Sequence, residues 1–320
     1  MILNLILLTA GLLLILFGAN YLVDGSSSIA KKFGLSEFII GLTIVGIGTS
    51  TPEMVVSFMS SIQGKADMAI GNIVGSNIIN VLLILGITAL ISPLLITKEN
   101  IKRDIPLNVG ITVLLLLLGM KHTIFGIGSD QLTRWDGLLF LAIFAWYLWR
   151  SFKIKPSEDE AGEEEGIQTY SSWESALFII AGLVGLISGG RLFVNSAVAL
   201  ADAWGASEKF IAITIMALGT SLPELATCVV AALKGRGQLA LGNILGSNIG
   251  NILLILGGAS LIHPLSFAGI TLVDSMVLLF SSVMIFASAF LFIKKKIDRI
   301  EGGILLVTEI AYMWYIIANL

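Results

Sequence analysis

Gly48-Thr49-Ser50-Thr51-Pro52-Glu53, followed by Gly71-Asn72-Ile73-Val74-Gly75-Ser76-Asn77-Ile78-Ile79-Asn80, decides how this chain is read, because it occurs twice. The second copy reads Gly219-Thr220-Ser221-Leu222-Pro223-Glu224, then Gly242-Asn243-Ile244-Leu245-Gly246-Ser247-Asn248-Ile249-Gly250-Asn251. Matched residues stand 171 positions apart, with no gap from Gly18/Gly189 to Pro93/Pro264. Between Thr43 and Gly86, 22 positions are identical to their partners, and the identities fall on Gly, Thr, Ser, Pro, Glu and Asn as well as on Leu and Ile. Lipid-facing similarity needs only apolar residues. Identity at polar positions inside apolar segments points to a shared polar task.

The surroundings of the two copies are those of a membrane protein. The 320 residues are 56% hydrophobic and 13% charged, with mean hydropathy +0.94, where a soluble domain carries about 25% charged residues. A net charge of −3 gives no pointer to nucleic acid. The single cysteine, Cys228, allows neither an internal disulfide nor a thiolate metal cage, and reads as a small apolar helix residue. Met1 to Leu22 lacks a basic leading region, so it reads as a first spanning helix rather than a cleaved leader.

A spanning helix needs about 20 mainly apolar residues. Ten such segments can be placed, near 2–23, 37–62, 67–92, 104–121, 134–152, 174–198, 208–233, 238–262, 268–292 and 299–319. The fold class expected is an all-α polytopic membrane protein of ten transmembrane helices in two inverted five-helix repeats. Residues 1–152 form the first half (repeat core about 41–86), 153–173 an acidic linker, and 174–320 the second half (repeat core about 212–257). An odd number of spans per half forces the second half to insert upside down. The charges agree: the loops after segments 1, 3, 5, 7 and 9 hold fourteen Lys and Arg and the other side four, with Arg191 inside segment 6 left out. By the positive-inside rule the rich side is cytoplasmic. The protein is therefore expected in the cell (plasma) membrane, multi-pass, with both termini extracellular and the linker cytoplasmic. The linker's acidic run, Glu158 to Glu165, reads as a solvated hinge.

Glu53 and Glu224 are the chemistry of the repeat. An ionisable group at membrane depth costs several kcal/mol unless paired or hydrated. Neither glutamate has a Lys or Arg close by in segments 2, 3, 7 or 8, so the natural countercharge is a bound cation or a proton. Pro52 and Pro223 break their helices and free carbonyls about four residues back, at Gly46 and Gly48 in one copy and Ala217 and Gly219 in the other. Broken helices are tolerated at that depth where they line a cavity, and their ends coordinate ions in transporters. Thr49, Ser50, Thr220 and Ser221 add hydroxyls beside the breaks. In the second element Asn72, Ser76 and Asn80 share a helical face. Gly71 and Gly75 read as helix-packing positions. Asn80 and Asn251 fit either an interhelical hydrogen bond or the polar site, as do Ser76 and Ser247. All these donors are hard oxygens without a His or Cys set, which suits Ca²⁺ or Na⁺ rather than Zn²⁺ or Cu⁺.

At these residues the sequence resembles the sodium/calcium exchanger family of the cation/Ca²⁺ antiporter superfamily, in its prokaryotic form. The resemblance rests on the paired G-T-S-x-P-E and G-N-x-x-G-S-N-x-x-N motifs and, with the flanking spans, covers essentially the whole chain. It implies a ten-helix exchanger with four cation subsites at mid-membrane. Calcium would be held by Glu53, Glu224 and the carbonyls of Thr49 and Thr220. Sodium would be held by the Gly46 carbonyl, Thr49, Ser50 and Ser247, and pseudo-symmetrically by the Ala217 carbonyl, Thr220, Ser221 and Ser76. Asn80 and Asn251 would line the central subsite. Asn at 251, where potassium-dependent relatives carry Asp, resembles the potassium-independent branch. Gly75, where proton/calcium exchangers carry Glu, points away from that branch. The expected function is electrogenic Na⁺/Ca²⁺ antiport by alternating access, with H⁺/Ca²⁺ antiport on the same glutamates and a calcium-permeable channel as alternatives. No enzyme activity, cofactor or obligate protein partner is expected; Ca²⁺, Na⁺ and the lipid bilayer are the partners. Segments 1 and 6 would be the moving pair, their glycines (Gly18, Gly25, Gly189, Gly190) sliding past the core.

Overall fold

The computed structural model describes residues 1–153, 167–204, 217–290 and 296–319. The acidic run of the linker and the first part of segment 7 lie outside the described residues. The chain is helical nearly throughout: α1 (Ile2–Phe33), α2 (Glu37–Thr49), α3 (Thr51–Ile62), α4 (Asp67–Ile91), α5 (Ile105–Gly119) and α6 (Arg134–Ser151) come from the first half, and α7 (Ser172–Ala203), α8 (Leu222–Leu233), α9 (Gly237–Ile262), α10 (Leu272–Phe290) and α11 (Arg299–Ala318) from the second. Among the described residues α1, α4, α7, α9 and α11 are each long and apolar enough to cross a membrane, and α2 with α3 makes a sixth span, bent by 49° at its break. The fold is all-α and polytopic, as expected from the sequence.

Burial sorts these helices into layers. Of the most apolar stretch of each, 94% is buried in α9 and 78% in α4, against 22% in α1, α7 and α11. The two central helices are therefore the ones that carry the G-N-x-x-G-S-N-x-x-N elements. The polar residues of the motif need neighbours that supply hydrogen bonds, and only the interior supplies them.

The two halves are stitched reciprocally. Strand β1 (Leu94–Leu95) pairs antiparallel with β4 (Lys296–Ile297), and β2 (Gln131–Leu132) with β3 (Leu265–Ser266), so each half lends a strand to the other. Arg134 Nε donates to the Leu261 carbonyl and Arg299 Nε to the Leu90 carbonyl, both at 3.1 Å. Tyr147 Oη donates to Asp104 and Tyr312 Oη to Asp274, both at 2.7 Å. α6 and α11 both start on capping boxes, Thr133/Asp136 and Asp298/Glu301. These matched contacts extend the symmetry past the stretch aligned in sequence.

α1 and α7 have 32 residues each, about 48 Å at 1.5 Å per residue. That exceeds a hydrocarbon core of about 30 Å, so both must tilt. They pack against each other through glycines seven apart. A Cβ at Gly18 would lie 2.7 Å from the Leu186 nitrogen, one at Gly182 2.6 Å from the Leu22 nitrogen, and one at Gly189 2.8 Å from the Gly11 carbonyl oxygen. Gly25 likewise abuts the Ser175 carbonyl. This corrects one expectation: Gly18, Gly25 and Gly189 do not face the core as a sliding surface. They weld α1 to α7, because only Gly lets two backbones come that close. Gly190 is apart from this seam. Gly18→Val should lower the unfolding midpoint in detergent, at an overpacking cost of about 1–3 kcal/mol. Gly110→Ala, at an exposed helical position with no neighbour within 4 Å among the described residues, should leave it unchanged or raise it.

Candidate cation site

The break between α2 and α3 is built by the Gly48-to-Glu53 motif itself. Ser50 leaves helical geometry (φ −77°, ψ 11°), and α3 restarts at Thr51 with Pro52 in its first turn. The second copy repeats this at Ser221 (φ −89°, ψ 4°) with Pro223 in the first turn of α8. Proline at this place costs no hydrogen bond, since first-turn N–H groups have no intrahelical partner. Its consequence is positional: Glu53 and Glu224 each fall in the first turn of a half-helix, where the helix dipole is positive. The carbonyls before the break are shared rather than free. The Gly46 carbonyl accepts Ser50 N at 3.1 Å, Ser247 Oγ at 3.3 Å and Thr49 Oγ1 at 3.4 Å, and the Gly48 carbonyl accepts Thr51 Oγ1 at 2.7 Å.

Both carboxylates are buried, Glu53 at 0% and Glu224 at 1% exposure. Each is held by a serine hydroxyl. Ser50 Oγ, from the first half, donates to Glu224 Oε1 of the second at 3.0 Å. Ser76 Oγ donates to Glu53 Oε1 at 3.3 Å. Ser76 and Ser221 stand 3.4 Å apart. The site thus belongs to neither half alone.

The asparagines close it from the side of α4 and α9. Asn80 Nδ2 donates to Asn248 Oδ1 at 3.1 Å and Asn251 Nδ2 to Asn77 Oδ1 at 2.9 Å. Asn251 Nδ2 also reaches Ser76 Oγ at 3.4 Å. Asn77 and Asn248 then exchange side-chain amide bonds with each other's backbone carbonyls, at 3.2 and 3.4 Å. Asn80 and Asn251 each open a turn with i→i+5 spacing, Asn80–Leu85 and Asn251–Leu256, a feature frequent at functional sites. Sequence reasoning misses Asn77 and Asn248 as members of this site. Their signal is present all the same: both are polar positions identical in the two inverted copies.

A further pair ties the half-helices to the central ones. Asn72 Nδ2 donates to the Glu53 carbonyl at 3.3 Å and to Ser57 Oγ at 3.2 Å. Its counterpart Asn243 donates to Cys228 Sγ at 3.2 Å and accepts Thr49 Oγ1 at 3.2 Å. Cys228 therefore does more than fill space: it takes the place of Ser57 as a hydrogen-bonding anchor. The helix packing expected of Gly71 and Gly75 is not found there, since a Cβ at either would meet nothing within 4 Å among the described residues; it occurs at their counterparts Gly242 and Gly246, against the Phe38 and Leu42 backbones.

After all these bonds, four buried oxygens of this cluster have no hydrogen-bond partner among the described residues: Glu53 Oε2, Glu224 Oε2, Asn80 Oδ1 and Asn251 Oδ1. Buried acceptors are ordinarily satisfied. Two carboxylate and two amide oxygens, surrounded by hydroxyls and carbonyls, form a hard-oxygen donor set. Among the described residues no three His, Cys, Asp or Glu side chains converge on a common point. Of the remaining expected ligands, Ser247 meets Gly46 and Ser221 meets Ser76.

The two approaches to this cluster differ. At the end rich in Lys and Arg, α1 lies against α8: Ala19 and Val23 are buried, and Lys234 Nζ meets Asp24 at 2.7 Å. At the opposite end the matching surfaces of α7 and α3 are parted by a cavity of about 210 Å³. It is lined by Pro52 and Val55 on one side, Gly190, Arg191 and Asn195 on α7, and Thr220 and Pro223 at its floor. A second cavity, of about 330 Å³, lies at the basic end and is lined by Asp24, Ser27, Tyr170, Lys234 and Arg236; of the two, the one between α3 and α7 touches Thr220 and Pro223, next to Glu224.

Comparison with known proteins gives a consistent picture. The pattern of the family described as "sodium/calcium exchanger protein" matches residues 3–153 and 174–318. The chain is 32% identical over 345 residues to the sodium/calcium exchanger MaX1 of Methanosarcina acetivorans, covering 97% of each. It is 37% identical over 278 residues to the inner membrane protein YrbG of Escherichia coli, covering 82% of this chain and 81% of YrbG. Among solved structures, the sodium-calcium exchanger NCX_Mj soaked with Na⁺ and Ca²⁺ superposes with a TM-score of 0.84 at 33% identity, over 100% of this chain and 99% of that one. With the doubled motif, the inverted halves and the shared oxygen cluster in place, the chain belongs to the sodium/calcium exchanger protein family, and is a multi-pass transporter of cations rather than an enzyme.

Proposed function

We propose that this chain exchanges Na⁺ for Ca²⁺ by alternating access, electrogenically and without K⁺. The observation that carries the reading is the set of four unpartnered buried oxygens, on Glu53, Glu224, Asn80 and Asn251. A dehydrated Ca²⁺ takes six to eight oxygens. Four would come from this set, and the others from Thr49 and Thr220 or retained water. Two carboxylates carry a charge near −2, which one Ca²⁺ neutralises. Sodium would occupy the same carboxylates together with the hydroxyls and carbonyls of Ser50, Thr49, Gly46 and Ser247, and of Ser221, Thr220, Ala217 and Ser76. Because both ions need Glu53 and Glu224, occupancy is competitive, and competition couples the fluxes. Three Na⁺ against one Ca²⁺ moves one net charge per cycle, worth about 2.3 kcal/mol per 100 mV. Asn at 251 supplies no third carboxylate for K⁺. The expected setting is the plasma membrane, with both termini outside and the basic end cytoplasmic.

Vesicles loaded with Na⁺ should take up ⁴⁵Ca²⁺ only while an outward Na⁺ gradient stands, and a valinomycin-clamped potential should change the rate. Uptake that follows a pH gradient in Na⁺-free buffer would instead favour proton exchange. Glu53→Gln and Glu224→Gln should each cut exchange by more than about a hundredfold, since losing one buried charged partner costs about 3–5 kcal/mol. Full exchange in either variant would remove the site. Added K⁺ should leave the wild-type rate unchanged.

A further inference from the structure

Arg191 is the one basic residue deep inside a span expected from the sequence. It sits on α7, is exposed, and lines the cavity that leads to Thr220 and Pro223, next to Glu224. It makes no ion pair among the described residues. The repeat places Asn20 of α1 at the equivalent position, so the matching point of the other half carries no charge. A lone guanidinium in an access path is unexpected in a protein that conducts cations. Its carbon stem could be served equally by a neutral side chain, so its charge asks for an explanation.

We propose that the Arg191 guanidinium sets the affinity for the transported cations at the face to which this cavity opens: a fixed positive charge in the path that weakens cation binding there and leaves the other face unaffected. The inference rests on the exchange reading above. A charge of +1 at about 10 Å in a water-like medium weakens binding about twofold per unit of cargo charge. Apolar walls such as Val55 and Val194 raise the effect by focusing the field. A divalent ion feels it doubly, so Ca²⁺ is weakened about fourfold where a single Na⁺ is weakened about twofold. The gradients still set the direction of net transport, since a fixed charge cannot alter the overall equilibrium. What it changes is the ease with which Ca²⁺ leaves at that face and the preference there for Na⁺ over Ca²⁺.

The test compares wild type with Arg191→Asn, which installs the residue of the equivalent position, and Arg191→Lys. The readout is half-saturating Ca²⁺ for ⁴⁵Ca²⁺/Ca²⁺ self-exchange, measured from each face in intact cells and everted vesicles at low and high choline chloride. Self-exchange needs no Na⁺, so it reads the inference even if Na⁺-driven uptake, and with it the exchange reading, fails in wild type. Arg191→Asn should lower half-saturating Ca²⁺ about fourfold or more at the cavity face only, with the difference shrinking at high salt, and should lower half-inhibiting Na⁺ by a smaller factor. Arg191→Lys should behave as wild type. The inference is overturned by no shift in Arg191→Asn, by equal shifts at both faces, or by a Lys variant that matches the Asn variant, which would make the role one of shape.

Discussion

Two buried carboxylates at membrane depth, without a basic partner among the described residues, are the constraint on which the rest of the structure depends. Nothing in a hydrocarbon surrounding tolerates such a pair unless it is enclosed, hydrogen-bonded and offered a counter-ion. Each architectural feature answers one of these needs. Breaking the spans at Ser50 and Ser221 puts Glu53 and Glu224 on the positive ends of half-helices. Burying α4 and α9 at the centre surrounds them with amide groups. Bonding Ser50 to Glu224 and setting Ser76 against Ser221 makes each half complete the other.

The inverted duplication explains how one short sequence element serves both faces of a membrane. Reciprocal contacts recur far from the site, from the exchanged strands to the Arg134 and Arg299 bonds and the paired Tyr–Asp contacts. They hold the halves as one body around the cluster. Against that body lies the α1–α7 pair, joined to itself through glycines. The pair meets the rest through the Asp24–Lys234 ion pair at the basic end and borders a cavity against α3 at the other. The glycine seam makes the two helices one packed unit.

Much of this architecture is legible in the order of the residues. The doubled motif implies the inverted halves, and the lack of nearby Lys or Arg singles out Glu53 and Glu224. The oxygen-only donor set narrows the ion class. Three features are not legible, each for a physical reason. Asn77 and Asn248 escape notice because an asparagine's role depends on which of its neighbours faces it, and helical spacing alone does not say. The glycines of α1 and α7 point to the wrong interface, because small residues mark close approach but not its partner. The positions of the cavities leave no trace in the residue pattern. The two copies share their polar motif residues, so the sequence does not say which of their surfaces part. Where the copies do differ, as at Asn20 and Arg191, the difference acquires meaning only because one position lines a cavity.

The central claim is that Glu53 and Glu224 form a single cation site for which Ca²⁺ and Na⁺ compete. Equilibrium dialysis of purified protein with ⁴⁵Ca²⁺, over a series of Na⁺ concentrations at constant ionic strength, tests it most directly. The account predicts one Ca²⁺ per chain, displaced fully and competitively by Na⁺, with binding lost in Glu53→Gln and in Glu224→Gln alike. Calcium binding that Na⁺ leaves untouched, or that survives when either glutamate is neutralised, would contradict it.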